Sequence, residues 1–436
     1  MPWLLAGDFN EMLNVDDKVG GSHLCRLKGF KKWFDDHSMV DLGYSGPKFT
    51  WSNKRIFERL DRAVCNTQWR QTFADAFVQH LPRTKSDHCP IKISLKSRMV
   101  SCPNSRPFRF EAMWLKHEQF QNFVIPKWEQ GAGSALHKSW DLVEPLKQWN
   151  VAVFRHLKQR KVKLLARLNG IQKVLHHRSN RSLSQLEESL VTEYNAVLEQ
   201  EALFWQQKSR IKWLQEGDRN TKFFHLTTIV RRRKNRIEKL KNDNDLWVEE
   251  AEGLKELAVN YFLGLFSMTP RDHSGLSMPN LFPSINDVDL NGLVARVDIS
   301  EVKESLFNIG GLKAPGVDGF PACFYQNQWN MCGNDIYDLV SQVFRERHIL
   351  KGLNATLITL VPKLANPVSM MHFRPISLCC TLYKVISKVI VARLRHILPK
   401  LISPHQVSFV PCRHITDNIL IAQEIMFKFR STMIGS

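Results

Sequence analysis

The sequence predicts an α+β, multidomain chain, and three observations carry that reading. The 436 residues correspond to two to four domains. The first hundred residues break into short apolar runs separated by turn signals. The middle of the chain instead repeats apolar residues at three- and four-residue steps. A hydrophobic fraction of 43% with 24% charged residues is ordinary for a globular protein, which excludes a wholly disordered or fibrous chain. No apolar run approaches the ~18–20 residues of a membrane span. The opening Met1-Pro2-Trp3-Leu4-Leu5-Ala6-Gly7-Asp8 lacks the basic segment of a signal peptide. A soluble, intracellular protein without a membrane partner is the expectation. The oligomeric state is not legible.

Residues 1–97 read as strands between turns. Trp3–Ala6 is expected as an apolar strand running into Gly7-Asp8-Phe9-Asn10. Another is expected at Phe49–Asn53, after the turn signal Ser45-Gly46-Pro47. Arg59–Val64 and the alternating Cys89–Leu95 complete the set, with a helix at Gly29–His37. Residues 98–107 are rich in Ser, Pro and Arg and read as a linker. Residues 108–267 are mostly helical, and Met268–Asn286 reads as a second linker. Further on, Asp298-x-x-Glu301 is expected to form a capping box for a helix reaching about Ile309. Thr356–Val361 reads as a strand. Leu382–Leu398 reads as a helix stopped by Pro399, and Ile415–Phe429 as another helix. The expected domains are 1–97, 98–297 and 298–436.

The charge is uneven. Lys and Arg number 61 against 42 Asp and Glu, a formal net charge of +19. Residues 151–240 hold 20 Lys and Arg against 8 Asp and Glu, so +12 of the total lies there. Phe154, Leu157, Leu164, Leu165, Leu168, Ile171 and Leu175 mark one amphipathic helix. After Arg178-Ser179-Asn180-Arg181-Ser182, a second follows through Leu183, Leu186, Leu190, Tyr194 and Val197, which predicts an αα-hairpin. Arg231, Arg232, Arg233, Lys234 and Arg236 put five cations into six residues. Such a cluster suits phosphate backbones without sequence specificity. It also has the form of a nuclear localisation patch, and a solvated helical spacer is the plainer reading. Nine cysteines with no C-x-x-C spacing, two of them adjacent at Cys379 and Cys380, read as small apolar residues of a reducing compartment.

Asp8 and Asn10 follow a strand, Asp61 lies in another, and Asp87-His88 precede a third. Carboxylates, a carboxamide and a His are the groups that metal-assisted phosphodiester hydrolysis uses. Gly7-Asp8-Phe9-Asn10, Phe49-Thr50-Trp51, Arg59-Leu60-Asp61-Arg62 and Ser86-Asp87-His88 together resemble the closing half of an apurinic/apyrimidinic-type endonuclease domain. That domain has the endonuclease/exonuclease/phosphatase α/β sandwich, here in the version of plant non-LTR, LINE-type retrotransposons. The resemblance implies that Asp8 activates water or protonates the leaving group, and that Asn10 binds the phosphate. It implies that Asp61 orients His88, that Asp87 supports an Mg²⁺ site, that His88 contacts the scissile phosphate, and that Thr50 contacts substrate. The family's upstream Asn strand, metal-binding Glu and catalytic Tyr have no counterpart before residue 8. The expectation is therefore an incomplete metal site, exposed sheet edges and no nuclease activity.

A second set runs along residues 300–425. Lys313-Ala314-Pro315-Gly316-Val317-Asp318-Gly319 is a turn-rich loop. Leu360-Val361-Pro362-Lys363 ends a strand with a cation, and Phe373-Arg374-Pro375-Ile376-Ser377-Leu378 sets an Arg beside a Pro. Gln406-Val407-Ser408-Phe409 is followed by Arg413 and Asp417-Asn418. Lys363 and Arg374 suit a triphosphate, and Gln406 and Phe409 suit a template or nucleotide pocket. In this order the motifs resemble the fingers of a non-LTR reverse transcriptase, an RNA-directed DNA polymerase. Trp213 to His225 resembles the connector of the plant elements. The resemblance implies that Lys363 and Arg374 bind nucleotide phosphates and that the Lys313 loop touches template. It also implies strain at Cys412, where the family has Gly. The palm aspartates that hold two Mg²⁺ have no counterpart here. Asp35-Asp36 reads as a helix surface.

The expectation is thus a fragment of a LINE-type polyprotein whose family nicks DNA and reverse-transcribes RNA, acting in the nucleus on DNA and RNA. Three possibilities stay open: a catalytically inactive relic, a non-catalytic basic nucleic-acid-binding protein, and an enzyme completed in trans.

Overall fold

The structure is a computed structural model. It describes residues 1–21, 29–53, 55–83, 86–95, 107–154, 157–177, 180–210, 221–267, 283–364, 366–403, 405–408, 410 and 412–434. The chain forms two compact units that interleave in sequence. One comprises residues 1–106, 156–269 and 358–377, and the other residues 107–155, 270–357 and 378–436.

In the first unit the strands Leu4–Asp8, Asp61–Cys65 and Val40–Asp41 form an antiparallel sheet with Asp61–Cys65 at its centre. All five residues of that central strand are buried. Ala63 and Cys65 pack with Val40, Leu42, Trp69, Ala76 and Val78. Leu4–Asp8 is the outer strand, and its Leu5 is 43% exposed. Two smaller sheets join Lys18–Val19, Phe57–Glu58 and Trp51–Ser52, and Phe77–His80 with Ile91–Ser94. The expected strand at 49–53 is therefore two residues long, because a turn at Asn53 and a hairpin to Phe57–Glu58 follow at once. The helix Gly29–Asp36 carries Asp35 and Asp36 on its exposed side.

The αα-hairpin consists of Leu157–Leu175 and Arg181–Ser209. Asn180 starts the second helix by accepting from the N–H groups of Ser182 and Leu183. Leu164, Leu168, Leu190 and Val197 close the seam. A third helix, Thr221–Lys234, ends in the basic run. The short strands Leu240–Lys241 and Trp247–Val248, which no period of two announces, pair around the turn of Asn242 and Asp245. Leu240 and Leu254 pack with Met370 and Phe373, which belong to the loop and second strand of the pair Thr356–Pro362 and Phe373–Cys379.

The second unit is helical. Phe110, Trp114, Phe120, Phe320 and Phe324 form its aromatic core. Asp298 caps the helix Ile299–Phe307 through the Ser300 N–H at 3.0 Å. Glu301 does not complete a capping box. It takes a bidentate ion pair from Arg393 at 2.8 Å and 2.8 Å, which is the stronger interaction. The expected helix 382–398 runs Thr381–Leu394, and Pro399 sits in the first turn of a separate short helix, Leu398–Leu401. Proline fits an N-terminal turn, where its missing N–H has no partner to lose. The last helix is Ile415–Ile434. Cys412 holds φ +62°, the left-handed conformation that Gly adopts without cost. Cys65, Cys89, Cys332 and Cys380 are buried, whereas Cys379 is half-buried and Cys412 exposed. Among the described residues no helix is long and apolar enough to cross a membrane.

Candidate active site

Three residues far apart in sequence converge at one end of the first unit's central sheet. Asp8 and Asp61 are direct partners across the antiparallel pair, so their side chains share a face. His88 enters from the segment bridged to Trp51. Its Nδ1 lies 2.9 Å from Asp61 Oδ2, and its Nε2 lies 4.0 Å from Asp8 Oδ2. One potential ligand atom from each residue lies within 4.8 Å of the others. Asp8 is steadied by its own turn: the Asn10 N–H donates to Asp8 Oδ1 at 2.9 Å, and Asn10 takes φ +53° to do so. Asn tolerates that conformation better than most residues.

Thr50 and Asp87 flank this group. Thr50 is 1% exposed, and its Oγ1 accepts from the N–H groups of Leu60 and Asp61 at 3.0 and 2.9 Å. It therefore fixes the strand that presents Asp61. The Asp87 carboxylate accepts from the Trp51 indole at 2.8 Å. That hydrogen bond is the main reason its carboxyl is held below the ordinary carboxylate value. The converging group contains Asp8, Asp61 and His88, and Asp87 stands beside it. Partial burial of the His88 imidazole opposes its charging. The Asp61 hydrogen bond and charge outweigh this, with help from Asp8 and Asp87, and raise its pKa above the ordinary histidine value.

Beneath the site lies an ionic network that no motif announced. Arg62 is 0% exposed and donates to Asp17 Oδ2 at 2.6 Å, Asp41 Oδ2 at 2.9 Å and the Arg59 carbonyl at 3.1 Å. Arg59 adds 3.0 Å bonds to both Asp41 oxygens and lies 4.4 Å over the Tyr44 ring. Burial alone would push the Asp41 carboxyl up, but Arg59 and Arg62 hold it below its ordinary value. The available signal was strand alternation. Asp61 and Arg62 are neighbours on one strand, so they face opposite sides of the sheet. Their carboxylate partners, from residues 17 and 41, could not be read locally.

The basic run is largely occupied by the protein. Arg231 donates to the terminal carbonyls of Lys208 and Ser209, closing the helix Arg181–Ser209. Arg233 makes a bidentate pair with Glu238 at 2.7 and 3.2 Å and lies over Phe77. Arg236 lies 3.4 Å from Asp75. Arg232 and Lys234 are exposed. On the hairpin, Lys363 is exposed and folds back to the Met371 carbonyl at 2.8 Å, and Arg374 is exposed on the facing strand. In the second unit, Lys313 is exposed, and Gln406 donates to the Ser408 carbonyl at 3.2 Å. Asp318 of the same loop is 2% exposed, and burial pushes its carboxyl up to about 6. Phe409 and residues 213–220 of the connector motif lie outside the described residues.

Mg²⁺ takes oxygen ligands in near-octahedral geometry. Asp61 Oδ2 is committed to His88, Asp8 Oδ1 to Asn10, and imidazole is a poor ligand for so hard a cation. That leaves Asp8 Oδ2 and Asp61 Oδ1 for a hydrated Mg²⁺, which binds through one or two carboxylates and keeps several waters. The same residues form an acid–base group: an Asp-held His whose free nitrogen faces a second carboxylate.

No family model matches the sequence. The chain is 24% identical to the transposon TX1 uncharacterized 149 kDa protein of Xenopus laevis, over 449 residues. The match covers 98% of this chain and 34% of that protein. The chain thus spans about a third of the length of the relative it matches, and it is a distant homologue of a transposon protein.

Proposed function

We propose that the chain derives from a LINE-type retrotransposon protein and binds nucleic acid. In this reading residues 8, 61 and 88 form the acid–base part of an endonuclease-type phosphodiester site, and the region from 298 belongs to reverse-transcriptase fingers. The observation that carries the reading is the convergence of Asp8, Asp61 and His88 from three separate segments. The similarity to a transposon protein along nearly the whole chain supports it independently.

The geometry suits a phosphate placed against His88 Nε2. Asp61 holds Nδ1, which orients the ring and favours the charged form. The imidazolium then donates to a non-bridging phosphate oxygen and offsets its charge. Asp8, across from Nε2, is placed to exchange a proton with an attacking or departing oxygen. Thr50 and the buried Arg62 network keep the Asp61 strand in place. Lys363, just past the strand Thr356–Pro362, and Arg374, on the paired strand, are assigned to nucleotide phosphates. We infer binding without turnover, because among the described residues the group offers a divalent cation only one oxygen each from Asp8 and Asp61. A DNA partner places the protein's action in the nucleus.

Fluorescence anisotropy on a labelled DNA duplex and an RNA–DNA hybrid tests the binding. The expected affinity falls steeply between about 50 and 200 mM salt, as phosphate neutralisation requires. No salt-dependent binding at the lower concentration would sink the reading. A plasmid-nicking assay with Mg²⁺ is expected to be blank. Nicking that disappears in His88→Ala would overturn the inference of binding without turnover.

A further inference from the structure

A cavity of about 480 Å³ in the first unit lies away from the Asp8–His88 group. Its size falls within the ~300–1,000 Å³ of small-molecule sites. Arg70, Arg233, Lys234, Arg236 and Lys239 line it, against two carboxylates, Asp41 and Glu238. Both carboxylates are already neutralised, Asp41 by Arg59 and Arg62, and Glu238 by the Arg233 fork. The remaining field is positive.

Arg70 makes this more than a basic surface. It is 1% exposed, and its Nη1 donates to the Ala76 and Phe73 carbonyls at 2.8 and 3.4 Å. Its Nε has no hydrogen-bond partner. Among the described residues no carboxylate lies within ion-pair distance of it. A buried guanidinium with no carboxylate beside it is costly, and an anion in the cavity supplies the missing counter-charge. Lys234, which also lines the cavity, adds a second positive charge. The opposite character is also present. Trp247 lines the cavity at 46% exposure, with Lys239 Nζ 4.5 Å from its ring centroid. Tyr44 lines it too, stacked on His80 at 4.6 Å and held by Arg59.

We propose that this cavity binds one nucleotide unit, its phosphate on Arg70 and Lys234 and its base against Trp247. The chemistry is that of a phosphate ester joined to an aromatic heterocycle. It is supplied either by a free nucleotide or by an unpaired nucleotide of a strand. Every strand has such units, and stacking on an aromatic side chain is sequence-tolerant. The inference stands apart from the phosphodiester site and does not require it.

Calorimetric titration of the full chain tests this with inorganic phosphate, adenosine 5′-monophosphate and an oligothymidylate of about 12 nucleotides. The monophosphate is expected to bind about tenfold or more tighter than phosphate, the worth of one base–aromatic stack. Trp247→Leu removes that margin, and Lys234→Ala weakens both ligands. Both residues are exposed, so neither variant threatens the fold. Arg70→Lys, checked by circular dichroism, weakens both ligands further. Oligothymidylate binding that the monophosphate displaces assigns the site to a strand, and monophosphate binding without such competition assigns it to a free nucleotide. No binding of either nucleotide probe, or binding unchanged in Trp247→Leu and Lys234→Ala, overturns the proposal. Duplex binding that persists in that case leaves the reading of the His88 site intact.

Discussion

Arg62→Leu measures what holds the Asp61–Cys65 strand in register. The substitution removes three hydrogen bonds from a fully buried guanidinium, two of them to carboxylates. Hydrogen bonds to charged groups contribute about 1.5–3 kcal/mol each. The loss is smaller than their sum because the carboxylates keep other partners. Asp41 retains Arg59 and the Gly43 N–H, and Asp17 retains the N–H groups of Leu13 and Asn14. The expected destabilisation is therefore about 3–5 kcal/mol, the range for breaking one partner of a buried pair. Hydrogen–deuterium exchange of the Asp61–Cys65 amides reads it locally. Exchange is expected to accelerate by about 100-fold or more, since each 1.4 kcal/mol is tenfold. The double variant Arg62→Leu/Asp17→Asn should recover a large part of the loss. It removes the Asp17 charge, whose remaining cation is Arg59 at 4.0 Å, leaves the Arg59–Asp41 pair, and keeps an acceptor for Leu13 and Asn14. Exchange close to wild type in the single variant would refute the reasoning. A double variant no more protected than the single one would refute it equally.

Other consequences follow from single contacts. Asp61→Asn removes the charge and weakens the bond that raise the His88 pKa, so the His88 ring signal in NMR should titrate at lower pH. In wild type the stabilisation linked to protonated His88 is complete below the ordinary value of 6.5 and disappears as pH rises through the raised value. A His88 titration unmoved by the substitution would contradict the assigned contact. Asp318 behaves in the opposite sense to an ion-paired carboxylate. Its folded value of about 6 lies above the ordinary 3.8, so the folded state binds the extra proton and stability falls by about 3 kcal/mol as pH rises between those values. Asp318→Asn should flatten that part of a urea-denaturation pH profile, and an unchanged slope would reject the burial argument. Arg231→Ala should fray the end of the helix Arg181–Ser209 at a cost of about 1–2 kcal/mol, whereas Arg232→Ala should not. Equal exchange rates at Lys208 and Ser209 in the two variants would show that the carbonyl contacts carry no weight.

The motifs around Asp8, Asp61 and His88 could be read individually because each sits at a turn or strand end with a local signature. Their convergence could not, since it depends on the pairing of Leu4–Asp8 with Asp61–Cys65. The resemblance sets Thr50 against substrate, and in the structure its hydroxyl accepts from two backbone N–H groups. The arginine run was legible as charge. Composition does not say which cations the protein itself engages, and Arg231, Arg233 and Arg236 all find internal partners.

By itself the sequence determined the local features: helix periods in the αα-hairpin, the polar break between its helices, the Asp298 cap, and the concentration of positive charge. These follow from residues within one or two turns of each other, where side-chain spacing and backbone preference act directly. Only the tertiary structure decided that Glu301 serves Arg393 rather than its own helix, that Arg62 neutralises Asp17 and Asp41, and that Arg70 is buried beside a cavity with no carboxylate within ion-pair distance among the described residues. Those outcomes depend on burial. Taking a charge out of water makes its nearest partner decisive, and that partner is chosen by packing between distant segments.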